Sequence, residues 1–187
     1  PRFLNRIHQE ADRLGALVND ILRLSQLDEG GALPHEQVSV LELAQEAARS
    51  LTAQAAAQAV HISVTGTAGT VFGVRRLLYE IARNLCENAV KYNVPGGSVT
   101  VEVAETDRDV TLLVRDTGIG IPEGDQSRVF ERFYRVDKSH SRAIGGTGLG
   151  LSIVKHAVAY HHGTLRLESQ PGKGTVITVT LPKEPTE

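Results

Sequence analysis

The sequence predicts an α+β fold: a two-layer α/β sandwich, in which helices cover one face of a mixed sheet, preceded by one long amphipathic helix. Helical and strand patterns follow one another in a mixed order after Pro34. Two runs that alternate apolar and polar residues, joined by a polar loop, predict an antiparallel hairpin whose apolar face must be covered. Apolar residues at every third or fourth position near the N-terminus predict the leading helix.

The leading helix is predicted over residues 3–27 and ends near the stop signal Gly30 and Gly31. A single helix of that length has nothing of its own to bury against, so its apolar stripe must face another helix, in cis or across a dimer. We therefore predict two units. Residues 1–31 form part of a helical bundle, and residues 32–187 form a separate domain.

The rest of the chain predicts strands and helices in a definite order. They are a strand at residues 37–40, a helix at about 41–58, a strand near 61–65, a helix at about 74–92, hairpin strands around 99–103 and 110–114, a helix around 151–158, and two closing strands around 165–167 and 177–181. The stretch 136–146 has weak apolar periodicity and mixed charge, and we predict a mobile lid there.

Composition excludes several classes of function. The formal net charge of -2 argues against a chain that wraps nucleic acid. No apolar run approaches the length of a membrane span, and the N-terminus lacks the layout of a secretion signal. With Cys86 as the single cysteine no internal disulfide can form, which favours a reducing compartment. We therefore expect a cytoplasmic domain with neither nucleic-acid nor membrane contact.

Four motifs occur in order, each at the boundary of a predicted element. They are DTGIGIP (residues 116–122), FERFYR (130–135), GGTGLGL (145–151) and GKGT (172–175). Glycine leaves backbone N–H groups open, and a helix that begins directly after GGTGLG would aim its free N–H groups at an anion. A lone glycine-rich run is weak evidence, but the four motifs together predict a polyphosphate site.

The helix at residues 74–92 carries polar side chains on one face. Glu80, Asn84 and Asn88 lie four residues apart, and Lys91 extends the same face by one turn. Asparagine is unfavourable inside a helix, so two of them on one face need a reason. One interpretation is a solvated polar face. The other is that Asn88 offers a neutral oxygen to Mg²⁺ beside the positive charge of Lys91.

Asp116 ends a predicted strand and enters the TGIG segment. Its carboxylate could accept a hydrogen bond from an exocyclic amine, while Gly118 and Gly120 let a flat ring lie against the backbone. The alternative is that Asp116 only caps a turn, which is a common role for aspartate before glycine.

These segments, together with NLCENAVKY (residues 84–92), resemble the N, G1, F, G2 and G3 boxes of a known catalytic domain. It is the ATP-binding domain of sensor histidine kinases, which belongs to the GHKL superfamily and has the Bergerat fold. The resemblance runs from about His35 to Pro182. The leading helix resembles the second helix of the same family's dimerisation and histidine-phosphotransfer domain, so the resemblance implies a homodimer in the full-length protein.

The resemblance implies roles for particular residues. The group that binds adenine would be Asp116, with Gly118, Gly120, Ile121, Thr175 and Tyr92 nearby. Asn88 would be the Mg²⁺ ligand, and the catalytic residues at or near the phosphates of ATP would be Asn84, Lys91 and Arg135. The loop around the triphosphate would be Gly146, Thr147, Gly148, Leu149 and Gly150, with Phe130 and Phe133 as anchors of the lid.

One position distinguishes branches of the superfamily. Members that hydrolyse ATP, such as DNA gyrase and MutL, place a glutamate four residues before the metal-binding asparagine to activate water. Here that residue is Asn84. Without a carboxylate to take a proton from water, transfer to an external nucleophile is favoured. The alternatives are an ATP-hydrolysing conformational switch of the same superfamily, or an interaction module that keeps the fold without nucleotide.

Two departures from the family pattern are visible. None of the seven histidines lies in a segment like the family's phosphoacceptor motif HELRTPL, so the resemblance implies that phosphate goes to a histidine outside this chain and then to an aspartate of a response regulator. Val74 stands where the family usually has an acidic residue, and we expect a small local loss. His161 and His162 are interpreted as polar caps at a helix end, and Cys86 as a small core residue.

Overall fold

The structure, a computed structural model, describes residues 33–136 and 147–184, together with Gly15, which is helical. The rest of the predicted leading helix lies outside the described residues, and so does the predicted lid apart from Val136. The division of the chain at residue 31 therefore stays a prediction.

The elements within the described ranges follow the predicted order with small shifts in their bounds. They are β1 Glu36–Ser39, α1 Val40–Ser50, α2 Thr52–Ala57, β2 His61–Gly66, β3 Thr70–Gly73, α3 Arg75–Lys91, β4 Ser98–Glu105, β5 Asp109–Asp116, α4 Glu123–Gln126, α5 Gly150–Tyr160, β6 Thr164–Gln170 and β7 Gly174–Pro182.

The main sheet is mixed, as predicted. Its strand order is β2-β4-β5-β7-β6, in which β2 runs parallel to β4 and every other neighbouring pair is antiparallel. Val99, Val101 and Val103 of β4 are buried, whereas Thr100 and Glu102 between them are not. Helices α1, α3 and α5 pack together and contact the sheet, so helices cover one face. The predicted α+β sandwich is confirmed.

Three details differ from the prediction, and the first is the short helix α4, Glu123–Gln126, which was not predicted. The helix predicted at 41–58 is two helices, because Leu51 leaves helical geometry (φ -101°, ψ 2°) and caps α1 with its N–H on the carbonyl oxygen of Ala48. Strand β3, which has four residues, was not predicted. It pairs with β1 in a separate two-stranded sheet and buries Val71 completely.

Helix α3 lies at the centre of the helical layer, between α1 and α5. Its apolar side chains Leu77, Leu78, Ile81 and Leu85 are buried against the other helices and the sheet. Each contributes about 1.5–3 kcal/mol through removal of apolar surface from water. Cys86 is fully buried, as predicted, and burial raises the pKa of its thiol to about 12, so it is chemically inert.

Helices α3 and α5 are joined at one end by His161. Val74, at the start of α3, has no side chain that can cap the helix, and its N–H donates to Nε2 of His161 at 3.0 Å. The other ring nitrogen, Nδ1, lies 2.8 Å from the carbonyl oxygen of Ala157. An acceptor at Nε2 and a donor at Nδ1 require the neutral ring. The histidine therefore does more than cap its own helix, because it also satisfies the first turn of α3.

The stability of the protein should therefore depend on the protonation of His161. Burial, first of all, lowers the pKa of His161 below the ordinary value of about 6.5. The unfolded chain then binds a proton before the folded chain does, so the stabilisation is complete above about pH 6.5 and falls as the pH drops through that value. In urea titrations between pH 7.5 and 5.5, His161→Gln should be less stable at pH 7.5 and show a shallower pH dependence.

The control is His61→Gln, at an exposed histidine on β2. It should keep the pH dependence of the parent. Identical slopes for the parent and His161→Gln would contradict the assignment of the neutral ring.

Candidate functional site

Asp116 connects two separate segments of backbone at the end of β5. Its Oδ1 accepts the N–H of Gly118 at 2.8 Å and the N–H of Thr175 at 3.2 Å. Burial is the main influence on this carboxyl and raises its pKa, while the two backbone donors act in the opposite direction. Oδ2 accepts no hydrogen bond from the described residues. Asp116 thus caps its turn with one oxygen, as the alternative interpretation expected, and its other oxygen can accept a ligand.

The glycines after Asp116 are required by close backbone contacts. A Cβ on Gly118 would lie 2.2 Å from the carbonyl oxygen of Tyr92, and a Cβ on Gly120 would lie 2.0 Å from that of Gln170. Gly120 also has φ +69°, which disfavours any other residue. These glycines let three segments of backbone meet, and the expectation that they also make room for a flat ring stays a prediction.

Ser169 fixes the far side of this loop, although no sequence pattern indicated a role for it. Its hydroxyl accepts the N–H of Ile121 at 2.8 Å and lies 2.9 Å from Oγ1 of Thr175. Gln126 adds a bridge, because its Nε2 donates to the carbonyl oxygens of Ile121 and Ser169. The predicted residues Ile121 and Thr175 are therefore brought together by two residues that were not predicted.

Asn93, which follows α3, also joins separate segments by hydrogen bonds, and this role was not predicted. Its Nδ2 donates to the carbonyl oxygens of Ala89 and Ser98, both at 3.0 Å. Its Oδ1 accepts the hydroxyl of Thr117 at 3.2 Å. The end of α3 is thereby fixed against the start of β4 and the loop that follows β5.

The polar face of α3 is present as predicted. Asn84 and Asn88 are half-buried, and Glu80 is buried with only 8% of its surface exposed. Asn84 donates through Nδ2 to the backbone and carboxylate oxygens of Glu80. The side chain of Asn88 makes no hydrogen bond to the described residues, so its amide oxygen can accept a ligand.

Two positive charges lie at the end of this face. The pKa of Lys91 is lowered by burial and by the nearby Arg135 guanidinium, against the opposing effect of Glu87. The Nζ of Lys91 lies 5.3 Å from the centre of the Tyr92 ring. Burial raises the pKa of Tyr92 and Arg135 lowers it, so Arg135 is close to both residues. Like charges held together in a half-buried place are typical of an anion site.

The start of α5 lies beside Asn84. Its N-cap residue, Leu149, is completely buried and provides no side-chain cap, and its own N–H is 3.3 Å from Oγ1 of Thr147. Gly148 has φ +75° and accepts the N–H of Phe133 at 3.0 Å. A Cβ on Gly150 would lie 3.0 Å from Oδ1 of Asn84. The first turn of α5 is therefore directed at the polar face of α3.

The FERFYR segment packs against the helix before it. The hydroxyl of Tyr134 donates to Oδ1 of Asp125, and the guanidinium of Arg128 lies 4.2 Å from the centre of the Tyr134 ring. Phe130 is half-buried, whereas Phe133 is 55% exposed and has φ +64°. Gly146 and the predicted lid lie outside the described residues, so their roles and the anchoring by these two phenylalanines stay predictions.

The structure thus brings most of the predicted site residues into two connected groups. The first surrounds Asp116 and contains Tyr92, Gly118, Gly120, Ile121 and Thr175. The second joins α3 to the start of α5 and contains Asn84, Asn88, Lys91, Arg135, Thr147, Gly148, Leu149 and Gly150. Tyr92 and Lys91 are adjacent in the chain and connect the groups. The described residues contain no set of three or more His, Cys, Asp or Glu that could hold a metal ion.

Comparison with known proteins agrees with this arrangement. Residues 73–185 match the family described as histidine kinase-, DNA gyrase B- and HSP90-like ATPases. The sensor-like histidine kinase SenX3 of Mycolicibacterium smegmatis is 41% identical over 188 residues, which is 98% of this chain and 48% of SenX3. The sensor histidine kinase WalK of Bacillus subtilis is 36% identical over 97% of this chain and 30% of its own length.

Two solved structures are also similar. The mycobacterial sensor histidine kinase MprB is 33% identical, with a TM-score of 0.70 over 82% of this chain and all of that one. Full-length ShkA in complex with AMPPNP is 26% identical, with a TM-score of 0.81 over 97% of this chain and 38% of ShkA. The chain spans about half or less of the length of the curated relatives it matches.

The loop around Asp116 should not tolerate a side chain at Gly118. In Gly118→Ala the new Cβ would meet the backbone oxygen of Tyr92, which cannot turn away as a side chain can. We expect a loss of about 2 kcal/mol in the free energy of unfolding, measured by urea denaturation. Gly124→Ala is the matched control, because a Cβ there has nothing within 4 Å, and it should change stability by less than about 0.5 kcal/mol. Equal stability of the two variants would show that the loop can open at Tyr92.

Proposed function

Because this chain belongs to the family of histidine kinase-, DNA gyrase B- and HSP90-like ATPases and carries the catalytic domain of a sensor histidine kinase, we propose that its site binds ATP with Mg²⁺ and transfers the γ-phosphoryl group to a histidine of a separate helical bundle. From that histidine the group passes to an aspartate of a response regulator. The structural similarity to ShkA, solved with the ATP analogue AMPPNP, supports nucleotide binding at this site.

The observation that carries the proposal is the pair Lys91 and Arg135. Burial first of all, and the nearby Arg135 guanidinium to a lesser degree, lower the pKa of Lys91, so an anion bound beside the two side chains would stabilise their charged forms. A triphosphate supplies that charge. Phosphoryl transfer depends mainly on positioning and on stabilisation of negative charge, which a fixed lysine and the planar fork of an arginine provide.

The base of the nucleotide is assigned to the group around Asp116. Since Oδ1 is occupied by two backbone donors, Oδ2 is the oxygen that accepts the exocyclic amine of adenine. The neighbouring Tyr92 is half-buried and provides an apolar surface beside the base. Selectivity for adenine then depends on one carboxylate oxygen in a fixed position.

The donor set also fits Mg²⁺. Asn88 has an amide oxygen without a hydrogen bond to the described residues, and Mg²⁺ prefers oxygen ligands and keeps several waters, so one or two protein oxygens are enough. When bound, the ion would supply positive charge to the phosphate oxygens. Asn88 would hold the ion through its amide oxygen.

Asn84 favours transfer over hydrolysis. An amide cannot take a proton from water, and the NH₂ group of Asn84 is already directed at Glu80. In the transfer step the bond between the γ-phosphorus and the β–γ bridging oxygen breaks, a bond to an imidazole nitrogen forms, and ADP leaves with the electron pair. Among the described histidines, His161 has both ring nitrogens engaged and cannot serve as the acceptor.

The whole protein is proposed to form a homodimer through the bundle that contains residues 1–31. The catalytic domain works on the cytoplasmic side, where ATP and a response regulator are available. None of the described helices is long and apolar enough to cross a membrane.

A reconstituted transfer reaction tests the proposal. This chain is incubated with γ-labelled ATP, Mg²⁺ and the histidine-containing bundle of the same full-length protein, supplied as a separate polypeptide. Acid-labile label should appear on the bundle histidine and on none of the seven histidines of this chain. Asn88→Ala should slow the transfer at least tenfold, because the ion is no longer held. Label on this chain incubated alone, or release of inorganic phosphate without labelled bundle, would overturn the proposal.

Asp116→Asn should change the nucleotide preference without opening the loop. The asparagine oxygen can still accept the N–H groups of Gly118 and Thr175, but its NH₂ group replaces Oδ2 and cannot accept from adenine. We expect ATP affinity to fall by about 2 kcal/mol, roughly thirtyfold, with a smaller loss for GTP, whose O6 is an acceptor.

Calorimetric titration with both nucleotides measures this preference. The control is Asp109→Asn at the opposite end of β5, which should bind ATP as the parent does. If Asp116→Asn keeps the parent's affinity for ATP and still excludes GTP, Asp116 does not determine the selectivity for adenine.

A further inference from the structure

Glu80 is a carboxylate with an unusual position. It lies on α3 one turn before Asn84, and only 8% of its surface is exposed. Burial of a carboxylate is costly unless hydrogen bonds compensate for the lost water. The resemblance to the histidine kinase family assigns no role to Glu80, because it places the metal and phosphate roles on Asn84, Asn88 and Lys91.

Glu80 determines which way the Asn84 amide points. Nδ2 of Asn84 lies 2.8 Å from the backbone oxygen of Glu80 and 3.2 Å from its Oε2. Both partners are acceptors, so the NH₂ group, and not the oxygen, must face them. Its two hydrogens are then both directed at Glu80. Rotating the amide by 180° would place an oxygen against two oxygens, which is unfavourable.

The consequence appears on the opposite side of Asn84. Its Oδ1 faces the start of α5, at 3.0 Å from the position that a Cβ on Gly150 would take. That turn of α5 follows Leu149, which provides no side-chain cap. Asn84 therefore presents an acceptor, and no donor, to the place where α3 and α5 meet.

We propose that Glu80 is a positioning residue that holds the Asn84 amide oxygen toward the start of α5, where it binds Mg²⁺ directly or through a water of the ion. This inference rests on the proposed function. An asparagine with a free amide could equally turn its NH₂ group to the site, where it would repel a cation. The Glu80 side chain disfavours that alternative, because Oε2 adds a second acceptor for the NH₂ group beside the backbone oxygen, and this effect depends on an acceptor oxygen more than on charge.

The first test is a spectroscopic measurement on the nucleotide-free chain. The side-chain NH₂ signal of Asn84 is identified in ¹⁵N-correlated NMR spectra by its loss in Asn84→Ala. In Glu80→Ala this signal should move toward the position of a free asparagine amide, and in Glu80→Gln, which keeps an acceptor oxygen, it should stay near the parent's position. An unchanged signal in Glu80→Ala would overturn the proposal.

The second test is the ratio of ATP affinities with Mg²⁺ and with EDTA. Glu80→Ala should lower this ratio about tenfold, and Glu80→Gln should lower it less than threefold. The double variant Glu80→Ala with Asn84→Ala should have the same ratio as Asn84→Ala alone, because the two residues act as one unit. The control is Glu46→Gln, since Glu46 makes an exposed ion pair with Arg75 at the start of the same helix. It should leave the ratio unchanged.

The outcomes separate three explanations. If Glu80 is only structural, Glu80→Ala lowers the affinity with and without Mg²⁺ equally, and the proposal fails. If its charge attracts the ion, Glu80→Gln loses as much as Glu80→Ala, and the proposal also fails. If the parent binds no ATP at all, the proposed function is wrong, while the NMR measurement still decides whether Glu80 orients Asn84.

Discussion

The site depends on the hydrogen bonds that Asp116 accepts from two distant segments. Gly118 follows it directly, but Thr175 lies 59 residues further along the chain. Because one oxygen joins them, the loop after β5 and the turn between β6 and β7 are held in a fixed relation. The contact of Gly118 with Tyr92 extends this relation to the end of α3. The residues assigned to the base and to the phosphates therefore belong to one connected framework.

The fold class could be predicted because period-2 and period-3.6 patterns are local. The hairpin of β4 and β5 and the long helix α3 have many residues and clear alternation, so their positions were correct within a few residues. The candidate site was predicted from motif order and from the resemblance, and the structure brings its described members together. For Gly118 and Gly120 the structure adds a reason that sequence spacing does not reveal, because backbone segments meet there.

Two of the hydrogen bonds that were not predicted span long distances in the sequence. Ser169 bonds Ile121 across 48 residues, and His161 bonds Val74 across 87 residues. Neither pair has a pattern in the sequence, because such hydrogen bonds depend on the finished packing of the helices and strands. The replacement of the family's acidic residue by Val74 was expected to cause a small local loss. Instead, His161 at the end of α5 provides the cap that the first turn of α3 lacks. The short strand β3 could not be predicted for a related reason, because its pairing with β1 is not encoded in a local pattern.

Helix α5 makes contacts at both of its ends with distant parts of the domain. Its first residue, Gly150, lies beside Asn84, and its last, Tyr160, stacks on His35 in the segment that leads into the domain, with ring centres 5.8 Å apart. The 11 residues between these contacts form a rod about 16 Å long. The segment around His35 and the polar face of α3 are thus in contact with opposite ends of one helix.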